Sequence, residues 1–294
     1  MARKQPPKGY LTSSQAAEIL NCSVGMVYNY ERAGQLHKKV PPGRKQGFFV
    51  ENEVNALAQG LSSFFETPLA EGQEPEKGNL IFSQATPDDM EGVYRVAASL
   101  FGSTTSAEAR KPLVEQCPEG NYIVKRNGKV VAYIHIQPLK HDRLMAFMRG
   151  EIRGKDITAN DLDCFAPGKT VECLVKSVGA TKLIGANEHS QRENQLIYLR
   201  ILLRGTALAM ANLGRKGVKI SKIYATSETV TGIEMGFSAQ MEQFGKPLKG
   251  GRFRFVLDVQ SSNTPILRPY KYALAQWETA YTNSTNLAHE PMQP

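Results

Sequence analysis

Strand-type and helix-type hydrophobic patterns alternate between residues 80 and 260, and this alternation limits the fold more than any other feature of the sequence. Two apolar segments flank Asn127-Gly128, a dipeptide that strongly indicates a tight β-hairpin. Helices separated by strands predict an α/β (α+β) domain with a sheet of mixed direction, in the order β-α-α-β-β-β-α-β-α-β-β. The predicted strands are Leu80–Ala85, Asn121–Arg126, Val130–Pro138, Thr170–Val178, Lys219–Thr226, Phe237–Gln243 and Phe253–Val259, and the predicted helices are Pro87–Phe101, Ser106–Gln116, Asn194–Leu213 and Thr229–Met235.

A smaller unit precedes this domain. The segment from Leu11 to Leu36 contains two short helical patterns, and the polar tripeptide 21–23 separates them. Ser23 is typical of the N-cap of the second helix, and Gly34 is typical of its C-terminal end. A basic turn then lies between two short strand-like pieces, and another helical pattern begins near Glu51. This order predicts a small N-terminal winged helix-turn-helix unit.

The second helical pattern resembles the recognition helix of the mercury-resistance-regulator (MerR) and phage-excisionase group of winged helix-turn-helix domains. The matching residues are Ser23, Val24, Tyr30, Glu31, Arg32, Gly34 and Leu36. The resemblance covers about residues 9 to 60 and implies double-stranded DNA as a partner, with the second helix in the major groove. The candidate DNA-binding residues are Ser23, Gly25, Met26, Tyr28, Asn29, Tyr30, Arg32, Lys38, Lys39, Arg44 and Lys45.

The larger domain is similar to the GNAT (GCN5-related N-acetyltransferase) fold over about residues 80 to 260. The similarity rests on the element order and on the stretches FSQATPDDMEGVYRVAASLF and TSETVTGIEMGFSAQMEQFG. It implies acetyl-coenzyme A as the cofactor, held by a loop of the form Gln/Arg-x-x-Gly-x-Gly/Ala at the start of a helix.

Two positions of this chain depart from the family pattern. Leu203 stands where the first glycine of the loop belongs. Gly232 stands where the family often has a tyrosine that protonates the departing thiolate. The candidates for cofactor binding are therefore limited to Arg200, Arg204 and Gly205, and no catalytic residue is assigned.

Composition and a cluster of turn-forming residues indicate the domain boundaries of the chain, and its net charge indicates the kind of partner. Prolines, glycines and acidic residues cluster between residues 66 and 78, so we expect domains at 1–60 and 80–260, a linker at 61–79 and a C-terminal tail at 261–294. The net charge of +8 suits an anionic partner. No uninterrupted run of about 18 apolar residues predicts a membrane span, and the N-terminus lacks the apolar stretch of a signal peptide. A cytoplasmic location is expected, since the four cysteines form no CxxC pair.

The cysteines and histidines of the larger domain give no metal-binding pattern. His135 and His141 are six residues apart, and Cys164 and Cys173 follow at a distance that is not typical of a metal site. His135 lies within a predicted strand, where a packed or surface histidine is the expected state. No metal site is therefore predicted.

Three interpretations of function remain open. The first is a sequence-specific DNA-binding transcriptional regulator, whose GNAT-like domain is not catalytic and serves a small-molecule effector or homodimerisation. The second is an active acetyl-CoA-dependent N-acetyltransferase that carries a DNA-binding domain. The third is an excisionase-like architectural protein that bends DNA. The departures at Leu203 and Gly232 favour the first interpretation over the second.

Overall fold

The structure is a computed structural model, which describes residues 6–20, 24–32, 36–40, 47–66, 79–102, 104–182 and 188–287. The chain forms two compact units. Unit 1 comprises Met1–Glu71 and Thr226–Pro265, and unit 2 comprises Gly72–Ala225 and Ile266–Pro294. Residues 226–260 were expected to belong to the GNAT-like domain and residues 261–265 to the C-terminal tail, but both lie in the same unit as the N-terminal helices.

Unit 1 starts with the element order predicted for the N-terminal unit. Its first three strands form an antiparallel sheet in the order β1-β3-β2. Helix α3 extends to Glu66, so the first part of the expected linker is helical, and residues 67–78 lie outside the described residues. The elements of this part are β1 (Tyr10–Leu11), α1 (Ser13–Ile19), α2 (Val24–Arg32), β2 (Lys38–Lys39), β3 (Phe48–Val50) and α3 (Glu51–Glu66).

An aromatic core joins the two sequence segments of unit 1. The ring of Tyr30 in α2 is fully buried, and its hydroxyl donates a hydrogen bond to the carbonyl oxygen of Phe237 at 2.7 Å. The Phe237 ring in turn packs edge-on against Phe255, with centroids 5.3 Å apart. Phe237 was expected to begin a strand, but it lies in a helix. The later elements of unit 1 are α8 (Val230–Ser238), β9 (Glu242–Gln243) and β10 (Phe253–Asp258).

Unit 2 contains a mixed sheet, as predicted. The sheet has the order β4-β5-β6-β7-β8, in which neighbours are antiparallel except for the parallel pair β7 and β8. The mixed α/β class is therefore confirmed, and the helix α6 (His141–Arg149) is an addition to the predicted order of elements. The elements are β4 (Leu80–Gln84), α4 (Met90–Phe101), α5 (Ala107–Gln116), β5 (Asn121–Arg126), β6 (Lys129–Pro138), α6 (His141–Arg149), β7 (Thr170–Ala180), α7 (Glu188–Arg215), β8 (Lys219–Ser227) and α9 (Arg268–Leu287).

The two faces of this sheet carry different helices. Helices α4 and α5 cover the face that presents Ile123 and Tyr133, and these residues share one buried apolar cluster with Val93 and Val114. Helix α7 lies on the opposite face, where Gly205 contacts the ring of Phe82. The hairpin between β5 and β6 turns at Asn127 and Gly128, which have φ of 50° and 76°, as the dipeptide predicts.

The expected C-terminal tail is part of the core of unit 2. Helix α9 packs closely on α7. A Cβ atom at Gly214 of α7 would lie only 2.7 Å from the carbonyl oxygen of Tyr270 in α9, so the small size of glycine permits this approach. The Tyr270 hydroxyl accepts a hydrogen bond from the Ile220 N–H at 2.6 Å and donates one to the Val218 carbonyl at 2.8 Å. These contacts fix the C-terminal helix to the start of β8.

One stretch of α7 is long and apolar enough to cross a membrane by length and composition, within the part of the chain that the structure describes. It runs from Asn194 to Arg215, with a mean hydropathy of 1.3. Sequence inspection for uninterrupted apolar runs misses this stretch, because polar residues are spaced along it. The buried helix of a globular unit passes the same test, and α7 packs against the sheet and α9 of unit 2.

Candidate functional site

The parallel strands β7 and β8 stop pairing before β7 ends. Their last paired residues in unit 2 are Val175 and Ala225, whereas β7 continues on β6 as far as Ala180. The free side of a strand carries backbone donors and acceptors that an extended ligand can use. The end of this pairing is therefore a candidate ligand-binding edge.

Polar side chains accumulate on the sheet at this point. Tyr133, His135 and Gln137 occupy alternate positions of β6 and therefore share one face of the sheet. That face is the one covered by α4 and α5, since Tyr133 belongs to their apolar cluster. Ser177 of β7 is the register partner of His135. The residues that directly follow the last β7–β8 pair thus adjoin the polar residues of β6.

A β-bulge places Lys176 at the same position. His135 pairs with Ser177 and Ile136 pairs with Val175, so Lys176 is the extra residue of β7. Bulges redirect a side chain and increase the local twist, and they are common near functional sites. The pKa of Lys176 is lowered to about 8, because its ammonium group is buried and, secondly, because the charge of Arg110 is near.

Helix α5 contributes Arg110. This guanidinium is buried and donates hydrogen bonds to the Thr105 carbonyl at 3.0 Å and the Thr104 hydroxyl at 2.8 Å. Its central carbon lies 5.8 Å from the centre of the Tyr133 ring. Ser106 caps the start of α5 by accepting a hydrogen bond from the Ala109 N–H, which fixes the first turn that carries Arg110.

We refer to Arg110, Tyr133, His135, Gln137, Lys176 and Ser177 as the polar cluster. Within the described part of the chain, several of its buried atoms have no hydrogen-bond partner: the Tyr133 hydroxyl, both ring nitrogens of His135, both amide atoms of Gln137, Lys176 Nζ and Ser177 Oγ. Leaving one buried polar group unsatisfied costs about 1–3 kcal/mol, and native cores contain few such groups. A cluster of them is a candidate site rather than ordinary packing.

The electrostatics of the cluster keep His135 uncharged. Burial lowers the pKa of His135 well below 6.5, and the nearby charges of Arg110 and Lys176 lower it further. The imidazole is therefore neutral at pH 7 and can accept a proton. Burial also raises the pKa of the Tyr133 hydroxyl, although Arg110 acts in the opposite direction.

The predicted cofactor residues do not form a phosphate-binding loop. Arg200, Arg204 and Gly205 all lie inside the continuous helix α7, where the backbone N–H groups belong to the helix. A Cβ on Gly205 would overlap the Phe82 ring, so this glycine permits close packing between helix and strand. These residues do not fit the pyrophosphate of coenzyme A. The segment that leads from β7 into α7, residues 183–187, lies outside the described residues.

Gly232 also has a structural role. It lies in the first turn of α8, where its N–H donates to the side chain of the N-cap residue Thr229 at 3.1 Å. A Cβ at this position would overlap the hydroxyl of Ser227. The departure from the family pattern at this residue therefore has a local cause in the cap of α8.

The predicted DNA-binding residues have different surroundings in unit 1. Gly25 and Lys39 are exposed, and Lys38 Nζ lies 4.9 Å from the centre of the half-buried Tyr28 ring. Tyr30 was wrongly assigned to the DNA surface, because its ring is buried and its hydroxyl is bonded to Phe237. Ser23, Arg44 and Lys45 lie outside the described residues. For Met26, Asn29 and Arg32 the structure describes the backbone but not the side chains.

Sequence inspection missed most of the polar cluster. It noted His135 as a packed or surface residue, and burial confirms that the residue is packed. A polar residue at every second position of an otherwise apolar strand, as in Tyr133-x-His135-x-Gln137, was the available signal. No sequence signal connects this strand with Arg110 or with the bulge at Lys176.

Comparisons with solved structures give matches at low sequence identity and with TM-scores below 0.5. The loading GNATL domain of CurA from Lyngbya majuscula is 10% identical, covers 63% of this chain and 100% of its own, and has a TM-score of 0.42. Ard1 from Thermoplasma volcanium is 11% identical, with coverages of 61% and 97% and a TM-score of 0.36. An N-acetyltransferase from Staphylococcus aureus Mu50 is 11% identical, with coverages of 61% and 98% and a TM-score of 0.35. No protein-family model and no curated protein sequence matches the chain.

Proposed function

We propose that unit 2 is an N-acyltransferase unit, in which the polar cluster receives an amine and the free edge of β7 receives an acyl thioester. The observation that carries this proposal is the position of the cluster: Lys176 and Ser177 directly follow Val175, the last residue of β7 that pairs with β8 in this unit. A stretch of strand edge without a β8 partner among the described residues and a group of buried proton acceptors thus lie at the same point of the sheet.

The chemistry of the cluster supports this assignment. An amine must lose a proton when it is acylated, and general bases of this kind contribute about 10²–10⁴-fold to the rate. The imidazole of His135 is neutral and both of its ring nitrogens lack a partner among the described residues, so it can take such a proton once the neighbouring positive charges are offset by a ligand. The GNAT resemblance implies coenzyme A as the carrier of the acyl group. Since the Arg200, Arg204 and Gly205 set does not fit its pyrophosphate, we assign no phosphate-binding residue.

The direct test measures binding and turnover with the full chain. We expect acetyl-CoA to raise the melting temperature, because a ligand that prefers the folded state stabilises it. We also expect release of free thiol that depends on added amine, when acetyl-CoA is incubated with a panel of amino acids and simple amines. If saturating acetyl-CoA changes neither the melting temperature nor the rate of thiol release, the proposal is wrong.

A second proposal concerns DNA binding by unit 1. This proposal is supported by two lysines of β2 that lie near helix α2. Lys38 Nζ lies over the ring of Tyr28, and the neighbouring Lys39 is exposed. The first residues of α2, Val24 and Gly25, are also exposed. A helix start beside a basic strand is the arrangement by which winged helix-turn-helix units contact phosphate and bases.

Removal of both β2 lysines should weaken DNA binding without regard to sequence. Each phosphate contact contributes about 0.9 to the slope of log affinity against log salt concentration, so Lys38→Ala/Lys39→Ala should flatten this slope by up to about 1.8. Fluorescence anisotropy of the full chain with a random-sequence duplex at several salt concentrations measures it. Lys129→Ala/Lys155→Ala, which removes two exposed lysines of unit 2, is the matched control. An unchanged slope in the β2 variant would exclude these lysines as phosphate contacts.

A further inference from the structure

The charge of the polar cluster is positive, and no carboxylate in the described part of the chain balances it in a direct ion pair. Arg110 is 3% exposed, and among the described residues neither Arg110 nor Lys176 forms an ion pair with a carboxylate within 4.0 Å. The acidic group that acts on Lys176 from a greater distance is Asp161, and this carboxylate is already paired with Arg143 at 2.8 Å. A buried charge without a partner is strongly unfavourable, so the cluster is suited to an anion.

The neutral polar groups of the cluster indicate which other chemical groups the anionic ligand must have. Gln137 offers both an amide donor and an amide acceptor without partners among the described residues, and the Ser177 hydroxyl lies next to the Tyr133 hydroxyl. These groups require hydrogen-bonding atoms on the ligand next to its negative charge. Tyr133 and Gln137 are four residues apart on β6, a length of about 13 Å, so the polar groups of the cluster extend over a distance comparable with the length of an amino acid.

We propose that the polar cluster binds a free amino acid, with the α-carboxylate at Arg110 and the α-amine towards His135. The assignment of this amino acid as the acyl acceptor rests on the proposed function, whereas its binding does not. A carboxylate is the group that a buried guanidinium recognises best, because two N–H groups can bond its two oxygens. Arg110 already uses Nε and one terminal nitrogen for Thr105 and Thr104, so a ligand carboxylate would be held by the N–H groups that remain.

Binding of a carboxylate would also improve the proposed base. The charge of Arg110 contributes to the lowered pKa of His135. A bound carboxylate offsets that charge, and an opposite charge near a histidine favours its protonated form. The pKa of His135 therefore rises when the amino acid is present, and the imidazole becomes a stronger proton acceptor only in the loaded site.

The test compares amino acids with their analogues that lack the negative charge. Each common amino acid is added singly to the full chain, and the melting temperature is measured. For the amino acids that raise it, affinity is then determined by calorimetry beside the decarboxylated amine and the methyl ester of the same compound. We expect the amino acid to bind at least about tenfold more tightly than either analogue, since a charge-assisted hydrogen bond contributes about 1.5–3 kcal/mol.

A variant assigns the preference to Arg110. Arg110→Met should abolish the difference between the amino acid and its amine, whereas Arg95→Met, which changes an exposed arginine of α4, should preserve it. The inference is wrong if no amino acid raises the melting temperature, if the amine binds as tightly as the amino acid, or if folded Arg110→Met keeps the preference. If an amino acid binds through its carboxylate but no thiol is released, acyl transfer is rejected and the binding inference stands. If thiol is released with simple amines but no carboxylate-dependent binding is found, the binding inference is rejected and acyl transfer stands.

Discussion

His135→Gln is expected to lower kcat for acyl transfer by about 10²–10⁴-fold, the contribution typical of a general base. Glutamine preserves a polar side chain of similar length but cannot accept a proton at neutral pH. The measurement is the rate of thiol release at saturating acetyl-CoA and amino acid. His141→Gln is the matched control, because His141 is an exposed histidine of the same unit, paired with Glu172.

The pH dependence separates a proton acceptor from a structural histidine. The folded pKa of His135 lies well below 6.5, so its neutral form is present at pH 7 and above and is lost as the pH falls through that lowered pKa. We expect kcat/KM, which reports the ligand-free enzyme, to show no acid decline from His135 at pH 6.5, where an unperturbed histidine would be half protonated. The residual rate of His135→Gln should instead rise with pH, as solvent bases replace the imidazole. If His135→Gln keeps the wild-type kcat and the wild-type pH profile, His135 is not the general base.

Stability should depend on the same titration. The unfolded chain binds a proton at His135 near pH 6.5, whereas the folded chain does so only at lower pH. Between these two pKa values the unfolded state binds more protons, so the free energy of unfolding falls as the pH falls, by up to about 1.4 kcal/mol per pH unit. Chemical denaturation should show this slope in the wild type and a smaller one in His135→Gln.

Gly205→Val is expected to lower the free energy of unfolding by about 1–3 kcal/mol, the range for adding atoms to a packed core. A Cβ at this position overlaps the Phe82 ring. Valine forms helix more readily than glycine, so helix propensity alone would predict the opposite sign. Urea denaturation of the full chain measures the change, and Arg204→Val at the neighbouring exposed position of α7 is the control.

A second variant connects the loss with the named contact. Gly205→Val/Phe82→Ala should lose less stability than the sum of the two single variants, because the shortened side chain makes room for valine. The alternative role of Gly205, close approach to a phosphate, predicts a different result. In that case Gly205→Val would keep its stability and lose the rise in melting temperature with acetyl-CoA, which would contradict the packing assignment.

Local patterns determined the elements of this protein. The hairpin at Asn127-Gly128 formed where the dipeptide predicts it, because those two residues adopt the positive φ that the turn requires. The order of the predicted helices and strands in unit 2 followed from the periodicity of apolar residues, which is a property of adjacent positions, whereas the helices α6 and α9 were not predicted. The same reasoning failed for Phe237, since a short apolar run fits a helix and a strand equally well, and packing against Tyr30 and Phe255 selected the helix.

The candidate site was decided by tertiary structure alone. Arg110, His135 and Lys176 are far apart in the sequence, and only the register of β6 with β7, the bulge, and the packing of α5 bring them together. The family resemblance likewise offered Arg200, Arg204 and Gly205 as candidates for cofactor binding, but they lie inside the continuous helix that the apolar pattern predicts, and the glycine accommodates Phe82. Periodicity reports which face of an element is apolar, whereas the approach of distant side chains depends on how whole elements pack, and no local pattern contains that information.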